Sequence, residues 1–268
     1  MRPLTSVGTN QVDLIANHIS HRFGRLDVLD DVSFAVRAGE VVAVVGPSGC
    51  GKSTLLSILG GLLEPSAGAA ELRGRAPPES LNPLTFVFQD FALLPWCTVA
   101  ENVEFPLLHV VPDALERSAV IDDVLRRTGL SDFRKAYPKQ LSGGMRQRVG
   151  IARALAVKPA ILLMDEPLSA LDSQTRELLT EDFIRLLTEA AVSAVYVTHN
   201  LEEAVRLADR VVVLSRRPGR VREIITIPLP RAERTEPHAR ERLVTLQAEL
   251  WSLIRSEAID AEREVQHA

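Results

Sequence analysis

The stretch GPSGCGKST at residues 46–54 constrains this chain more than any other. It follows the all-apolar run VVAVV and opens a stretch, residues 55–63, whose leucines and isoleucine recur at helical spacing. It fits the pattern G-x-x-x-x-G-K-[ST] at every defined position. Gly46, Gly49 and Gly51 allow a tight concave turn whose backbone N–H groups point inward at an anion, with Pro47, Ser48 and Cys50 between them. Lys52 supplies a point charge for terminal phosphates, and the Ser53 hydroxyl is placed to ligate Mg²⁺. Thr54 closes the motif on a helix whose dipole adds positive potential. Strand, loop and helix in this order predict a nucleoside triphosphate site; a chance glycine turn before a helix is the competing reading.

Such a loop needs a sheet behind it. With 268 residues, 46% hydrophobic and 25% charged, the chain is predicted to form one or two domains around a sizeable core. A net charge of −4 without long Lys/Arg blocks argues against an extended phosphate-backbone footprint, so no nucleic acid partner is expected. The N-terminal MRPLTSVGTNQVDL carries no apolar signal core, and no stretch approaches the roughly 18 apolar residues of a membrane span, which predicts a cytosolic chain. Cys50 and Cys97 have neither the number nor the spacing of a disulfide framework or a zinc site. For Cys50 two readings stand: a small residue turned outward, or a thiol whose alkylation blocks the loop.

Residues 12–36 alternate apolar and polar, with turn residues at Gly24 and at Ala38-Gly39, and predict antiparallel strands. Phe23 within them either stacks on a base or is an ordinary sheet residue. Residues 68–73 predict a short strand, and 84–88 a buried one that ends in Gln89. At the carboxyl end of a strand in an open α/β sheet, Gln89 would point into the ligand crevice; otherwise it is a loop residue. Phe91, Leu93, Leu94, Pro95 and Trp96 then form either packed core or an exposed patch awaiting a partner. The region from about 93 to 156 is predicted to be mainly helical, with a stop at Gly129. It closes on QLSGGMRQRV, where Ser142, Gly143 and Gly144 are either a second anion site at a helix start or a plain helix cap.

AILLMDEP predicts a central parallel strand with Asp165 and Glu166 at its end. Asp165 would hold the Mg²⁺ shell and Glu166 would orient or deprotonate a water; the alternative is a solvated acidic turn. SALD, residues 169–172, leads into an amphipathic helix with Leu178, Leu179, Ile184, Leu186 and Leu187. A further buried strand, 194–198, ends in His199, structural or catalytic by the same sheet-edge argument. Strands at 211–215 and 221–227 flank the turn RRPGRV, and a polar linker precedes a helix from about 237 to 265 with Leu243, Leu246, Leu250 and Leu253 on one side.

At LSGGM the ordered motifs resemble those of the ATP-binding subunit of an ABC transporter, over residues 12–227. Phe23 matches the family's adenine-stacking aromatic, residues 46–54 its Walker A loop and Gln89 its Q-loop glutamine. Residues 141–145 match the signature, 161–166 Walker B with its catalytic Glu166, 169–172 the D-loop with Asp172, and His199 the switch histidine. Met145 departs from the glutamine usual at the fifth signature position, which removes a polar side chain and leaves the Ser142 hydroxyl and the Gly143 and Gly144 amides. FQDFALLPWCTVAENV, LSGGM and SRRPGRV are similar to the branch of bacterial importers for nitrate, sulfonates such as taurine, bicarbonate and related small anions.

The resemblance implies an α/β P-loop NTPase (RecA-like) core with an N-terminal antiparallel β subdomain and an inserted α-helical subdomain. The expected cassette spans 10–230, with the helical insert at about 93–156, and 231–268 form a C-terminal polar linker and helix. ATP and Mg²⁺ are the implied cofactors. Glu166, His199, Lys52 and Gln89 are the implied catalytic residues, and Ser53, Gln89 and Asp165 the metal-binding ones. Implied partners are a second ATPase cassette in a head-to-tail homodimer, two multi-span membrane permease subunits, and a periplasmic or extracellular substrate-binding protein acting through the permease. The expected location is peripheral, on the cytoplasmic face of the bacterial inner membrane. A non-transport ABC ATPase acting in DNA repair or on ribosomes is the alternative; such chains usually carry a long coiled-coil insert or two cassettes, and neither is read here.

Overall fold

Alternating side chains and a glycine turn fold the first described stretch into a hairpin of β1 (Asp13–Phe23) and β2 (Leu26–Val36), paired antiparallel from Leu14–Val36 to Phe23–Leu26. The computed structural model describes residues 12–190 and 192–266, with side chains of the last helix followed to Arg255. The N-terminal stretch read as lacking a signal core and the expected cassette start at residue 10 lie outside the described residues, apart from its last three positions. The run VVAVV is β3 (Val41–Val45), followed by the loop and by α1 (Lys52–Leu59). Then come β4 (Ala67–Arg73), β5 (Leu84–Val87), α2 (Val99–Glu104), α3 (Ala114–Arg127) and α4 (Gly143–Ala156). Thr98 caps α2 with a reciprocal Glu101 bond, and Asp113 caps α3, so the helical expectation for 93–156 has a local cause at each start.

The rest of the chain alternates strand and helix: β6 (Ile161–Asp165), α5 (Ser173–Ala190), β7 (Ser193–Val197), α6 (Leu201–Leu207), β8 (Arg210–Leu214), β9 (Val221–Thr226) and α7 (Arg240–Gln266). Two sheets result. One is three-stranded, in the order β2-β1-β4; the other is six-stranded, in the order β5-β6-β7-β3-β8-β9, parallel except for β9. Its inner strands β6, β7, β3 and β8 are apolar on both faces because both are covered. Val41, Ala43 and Val45 of β3 face the core shared with α2 to α7, whereas Val42 and Val44 face the core shared with β1, β2 and α1. Burying strands this way carries their carboxyl ends to a common edge.

Four expectations need correction. The strand at 84–88, read as buried, is the sheet's edge: Leu84, Thr85 and Phe86 are half-buried, and Phe88 lies beyond it with its ring stacked 5.2 Å from Phe86. Leu178 is exposed on α5, because the buried stripe there runs through Leu179, Phe183, Leu186 and Leu187. The segment after 230 is anchored, not a loose linker. The Arg234 guanidinium is buried and donates to the carbonyls of Leu229 and Ala208 and to Asp209, and burial lowers its pKa to about 10. The last helix starts at Arg240, after a single 3-10 turn at Pro237–Ala239, and packs Leu243, Leu246 and Leu250 into the larger core.

Candidate functional site

The loop between β3 and α1 is shaped by its glycines. Gly49 and Gly51 hold φ of 74° and 105°, and a Cβ on Gly51 would lie 2.7 Å from the Leu29 side chain. A Cβ on Gly46 would lie 2.9 Å from the Leu214 carbonyl, so the loop is wedged between β2 and β8. Lys52 is buried at 8% exposure and donates to the Gly46 and Pro47 carbonyls at 2.9 and 3.0 Å, curling its ammonium into the concavity. Ser48 and Gly49 are exposed on the rim, and Thr54 is half-buried on α1. Cys50 corrects the outward reading: its side chain is buried beneath the loop, where burial pushes the thiol pKa up.

Strand register brings the other polar residues to the same edge. Val44 pairs with Val197 and Asp165 pairs with Val197 in turn, so the residues after β3, β6 and β7 emerge side by side. The Ser53 hydroxyl donates to Asp165 Oδ1 at 3.2 Å. Burial raises the Asp165 pKa; the Ser53 hydrogen bond opposes the rise, and the Glu166 charge adds to it. Glu166 has φ 44°, a left-handed conformation, and its Oε2 lies 2.9 Å from His199 Nδ1. Ser169 joins Gln89 to this group: its hydroxyl accepts from Gln89 Nε2 at 3.3 Å and donates to the Glu166 carbonyl at 2.9 Å. Lys52, Ser53, Gln89, Asp165, Glu166 and His199, read from segments far apart in sequence, are thus gathered on one sheet edge.

Three predicted positions stand apart from that edge. Phe23 lies at the end of the β1–β2 hairpin, 52% exposed, with its ring edge-on to His21 at 4.5 Å. Ser142 is exposed and caps α4 by accepting from the Met145 amide at 3.2 Å, as the cap reading expects. Gly143 and Gly144 rest on side chains of Leu171 and Thr175, and Met145 packs its thioether chain toward the larger core. Asp172 caps α5 by accepting from the Thr175 amide at 3.0 Å, a bond that lowers its pKa. Among the described residues no hydrogen bond links Ser142, Gly143, Gly144 or Asp172 to the phosphate loop. Residues 91–96 divide between the two alternatives: Trp96 is 73% exposed, whereas Phe91, Leu93 and Leu94 are half-buried and Leu93 packs against the larger core, with Phe88 and Phe105 open outside the segment.

Sequence reasoning missed residues that hold this edge together. Arg153 on α4 donates to the Phe91 and Ala92 carbonyls, both of which have positive φ, and so fastens the segment after Gln89 to the helix that Ser142 caps. Arg176 and Glu203 are not singled out by any motif. The legible signal was that Glu203 shares a helical face with Leu207, four residues on, which belongs to the core stripe of α6.

A glycine-walled cradle at a helix start, a carboxylate pair after β6 and a polar tip after β7, on a buried parallel sheet, define a P-loop nucleoside triphosphatase. Residues 29–169, more than half of the chain, match the family model described as ABC transporter. The chain belongs to that family, as an ATP-binding cassette with ATPase chemistry. It is 40% identical over 257 residues to the nitrate import ATP-binding protein NrtC of Synechococcus elongatus, covering 93% of this chain but only 38% of NrtC. It is 43% identical over 218 residues to the aliphatic sulfonates import ATP-binding protein SsuB 1 of Xanthomonas axonopodis pv. citri, covering 81% of this chain and 78% of that one. Among solved structures it is similar to the dimeric post-hydrolysis ATP-binding cassette MJ0796 bound to ADP and Pi, with TM-score 0.69 and 32% identity, over 81% of this chain and all of that one. Among the described residues no helix is long and apolar enough to cross a membrane.

Proposed function

We propose that this chain is the ATP-hydrolysing subunit of a membrane importer for a small anion of the nitrate, sulfonate or bicarbonate type, and that two copies close head to tail over two ATP molecules. The observation that carries the hydrolytic reading is the Glu166–His199 contact of 2.9 Å beside the cradle that holds Lys52. The donor set suits Mg²⁺, a hard cation that takes one or two carboxylates together with substrate phosphates. Ser53 and Asp165 bring two hard oxygens within 3.2 Å of each other, and Gln89 adds an amide from the sheet edge. Bound there, the metal would neutralise charge developing on the phosphate oxygens.

The chain's own residues divide the work. Phe23 offers an exposed ring for the base, while the amides of residues 46–54 and the Lys52 ammonium cradle the phosphates. Glu166 takes a proton from the attacking water, and His199 holds the carboxylate and the terminal phosphate in line. In the closed pair, Ser142, Gly143 and Gly144 of one copy, with Asp172 beside them, meet the γ-phosphate held by the other. ATP thereby favours the closed pair, and hydrolysis releases it, a ligand-driven population shift. Gln89 relays the state of the site to residues 91–96. The exposed Trp96 ring there suits a helix of a permease subunit at the cytoplasmic face of the membrane, while an external binding protein selects the anion through the two permeases.

Glu166→Gln is expected to retain ATP binding and to lose about 10²–10⁴-fold in hydrolysis; near-normal turnover would remove Glu166 from the role of base. Recovery of two multi-span proteins with this chain, and anion-stimulated ATPase in the assembled complex, test the transport reading. Recovery of nucleic acid in their place would reverse it.

A further inference from the structure

The ladder between β6 and β7 ends at the bond from the Glu166 amide to the Val197 carbonyl, 2.9 Å. Past that point the segment carrying Glu166 and Ser169 and the turn carrying His199 leave the sheet, and among the described residues the hydrogen bonds and ion pairs that connect them run through side chains. One connection is the Glu166–His199 contact itself. The other is buried beneath it. Glu203, 4% exposed, accepts at Oε2 from the Tyr196 and Thr198 hydroxyls, both at 2.8 Å, and turns Oε1 toward Arg176 Nε at 3.6 Å. Arg176 in turn donates to the Leu171 carbonyl at 2.7 Å and the Leu168 carbonyl at 3.3 Å. Thr198 Oγ1 also accepts from the Asn200 amide at 2.9 Å, and Asn200 caps α6, so residues 198–200 are pinned on both sides of His199.

We infer that Arg176 and Glu203 are positioning residues for ATP hydrolysis: a cross-brace of a half-buried arginine and a buried glutamate that fixes residues 168–171 against the His199 turn, and so sets the Glu166–His199 geometry. Stability alone does not account for the arrangement. Glu203 has been taken out of water, a cost that one half-buried partner repays only in part. At 3.6 Å the pair is also too long to be a charge-assisted hydrogen bond. Arg176 uses its donors on loop carbonyls, and Glu203 uses its acceptors on the hydroxyls that shape the next turn. Burial raises the pKa of the Glu203 carboxyl, and the hydroxyl donors and Arg176 oppose that rise, as expected for a charge held for placement.

The proposal rests on reading Glu166 and His199 as the hydrolytic pair, and its test separates the two ideas. In the full chain, Glu203→Gln keeps the volume and one acceptor but removes the charge facing Arg176. It is expected to lower kcat about 10–100-fold, the scale of a small misplacement, with KM for ATP within about 2-fold. Hydrogen exchange should quicken at residues 168–172, outside the element that carries the substitution. Arg176→Lys, which keeps the charge but reaches fewer carbonyls, should give a smaller loss of the same kind and quicken exchange at residues 198–200. The double variant should be no slower than the worse single, because the two act as one unit. Unchanged kcat in Glu203→Gln, a KM that rises in step with the loss, multiplicative effects, or exchange altered only on the substituted element would each overturn the brace. Failure of the base reading would appear in Glu166→Gln alone and leave the exchange result standing.

Discussion

The phosphate loop and the Ser142 turn are both glycine-bearing helix starts in one chain, and they are built on opposite plans. The loop is enclosed: Lys52 is buried, Gly49 and Gly51 adopt left-handed φ, and β2 and β8 press on it through Leu29 and Leu214. The Ser142 turn is open, with its serine exposed and its hydroxyl accepting from the Met145 amide of its own helix. The first has everything an anion needs within one molecule. The second leaves its serine exposed at a helix start, the form expected of half a site that another molecule completes.

Three substitutions and one modification press on that contrast. Lys52→Ala removes the charge from the enclosed site and is expected to cut hydrolysis about 10³-fold or more and to weaken ATP binding; equal affinity in wild type and variant, measured by equilibrium dialysis, would show that the loop does not need it. Ser142→Arg acts on the open site. Hydrolysis by the pair should fall about 10²-fold while ATP affinity of dilute monomers stays within about 2-fold. Ser142→Ala, which loses the cap but adds no bulk, should cost only about 1 kcal/mol of stability. Matching losses of monomer affinity in both variants would merge the two sites into one. The last test is chemical. Burial raises the Cys50 thiol pKa, so the reactive thiolate is scarce at neutral pH and becomes commoner only as pH climbs through the raised value. Iodoacetamide at neutral pH should label half-buried Cys97 while Cys50 lags by about 100-fold or more, limited by local opening. Equal labelling would mean that the loop is far less enclosed than its packing indicates.

Much of the site could be read before folding because its parts are short and contiguous. The phosphate loop, Asp165-Glu166 and His199 each follow a run of apolar residues, and a strand's carboxyl end is a position that sequence pattern can find. Gln89 was legible for the same reason, although its strand proved to lie at the sheet edge. Cys50 was misjudged because which way a loop side chain turns depends on packing from β2 and β8, neither adjacent in sequence. The segment after 230 was misjudged because its polarity looked like solvent exposure, whereas Arg234 is buried and satisfied by three carbonyls and Asp209.

What the residues by themselves determined is the kind of chemistry: a glycine cradle with a lysine, a carboxylate pair and a histidine can be recognised wherever they fall in a chain, since each motif depends on local backbone conformation. What only the tertiary structure decided is their arrangement. Parallel pairing of β3, β6 and β7 carries residues more than a hundred positions apart to one edge, and the braces beyond that edge join side chains that no local pattern relates. Distance along the chain says nothing of distance in space once hydrogen-bonded strands are laid side by side, and that is why Arg176 and Glu203 could be paired only after folding.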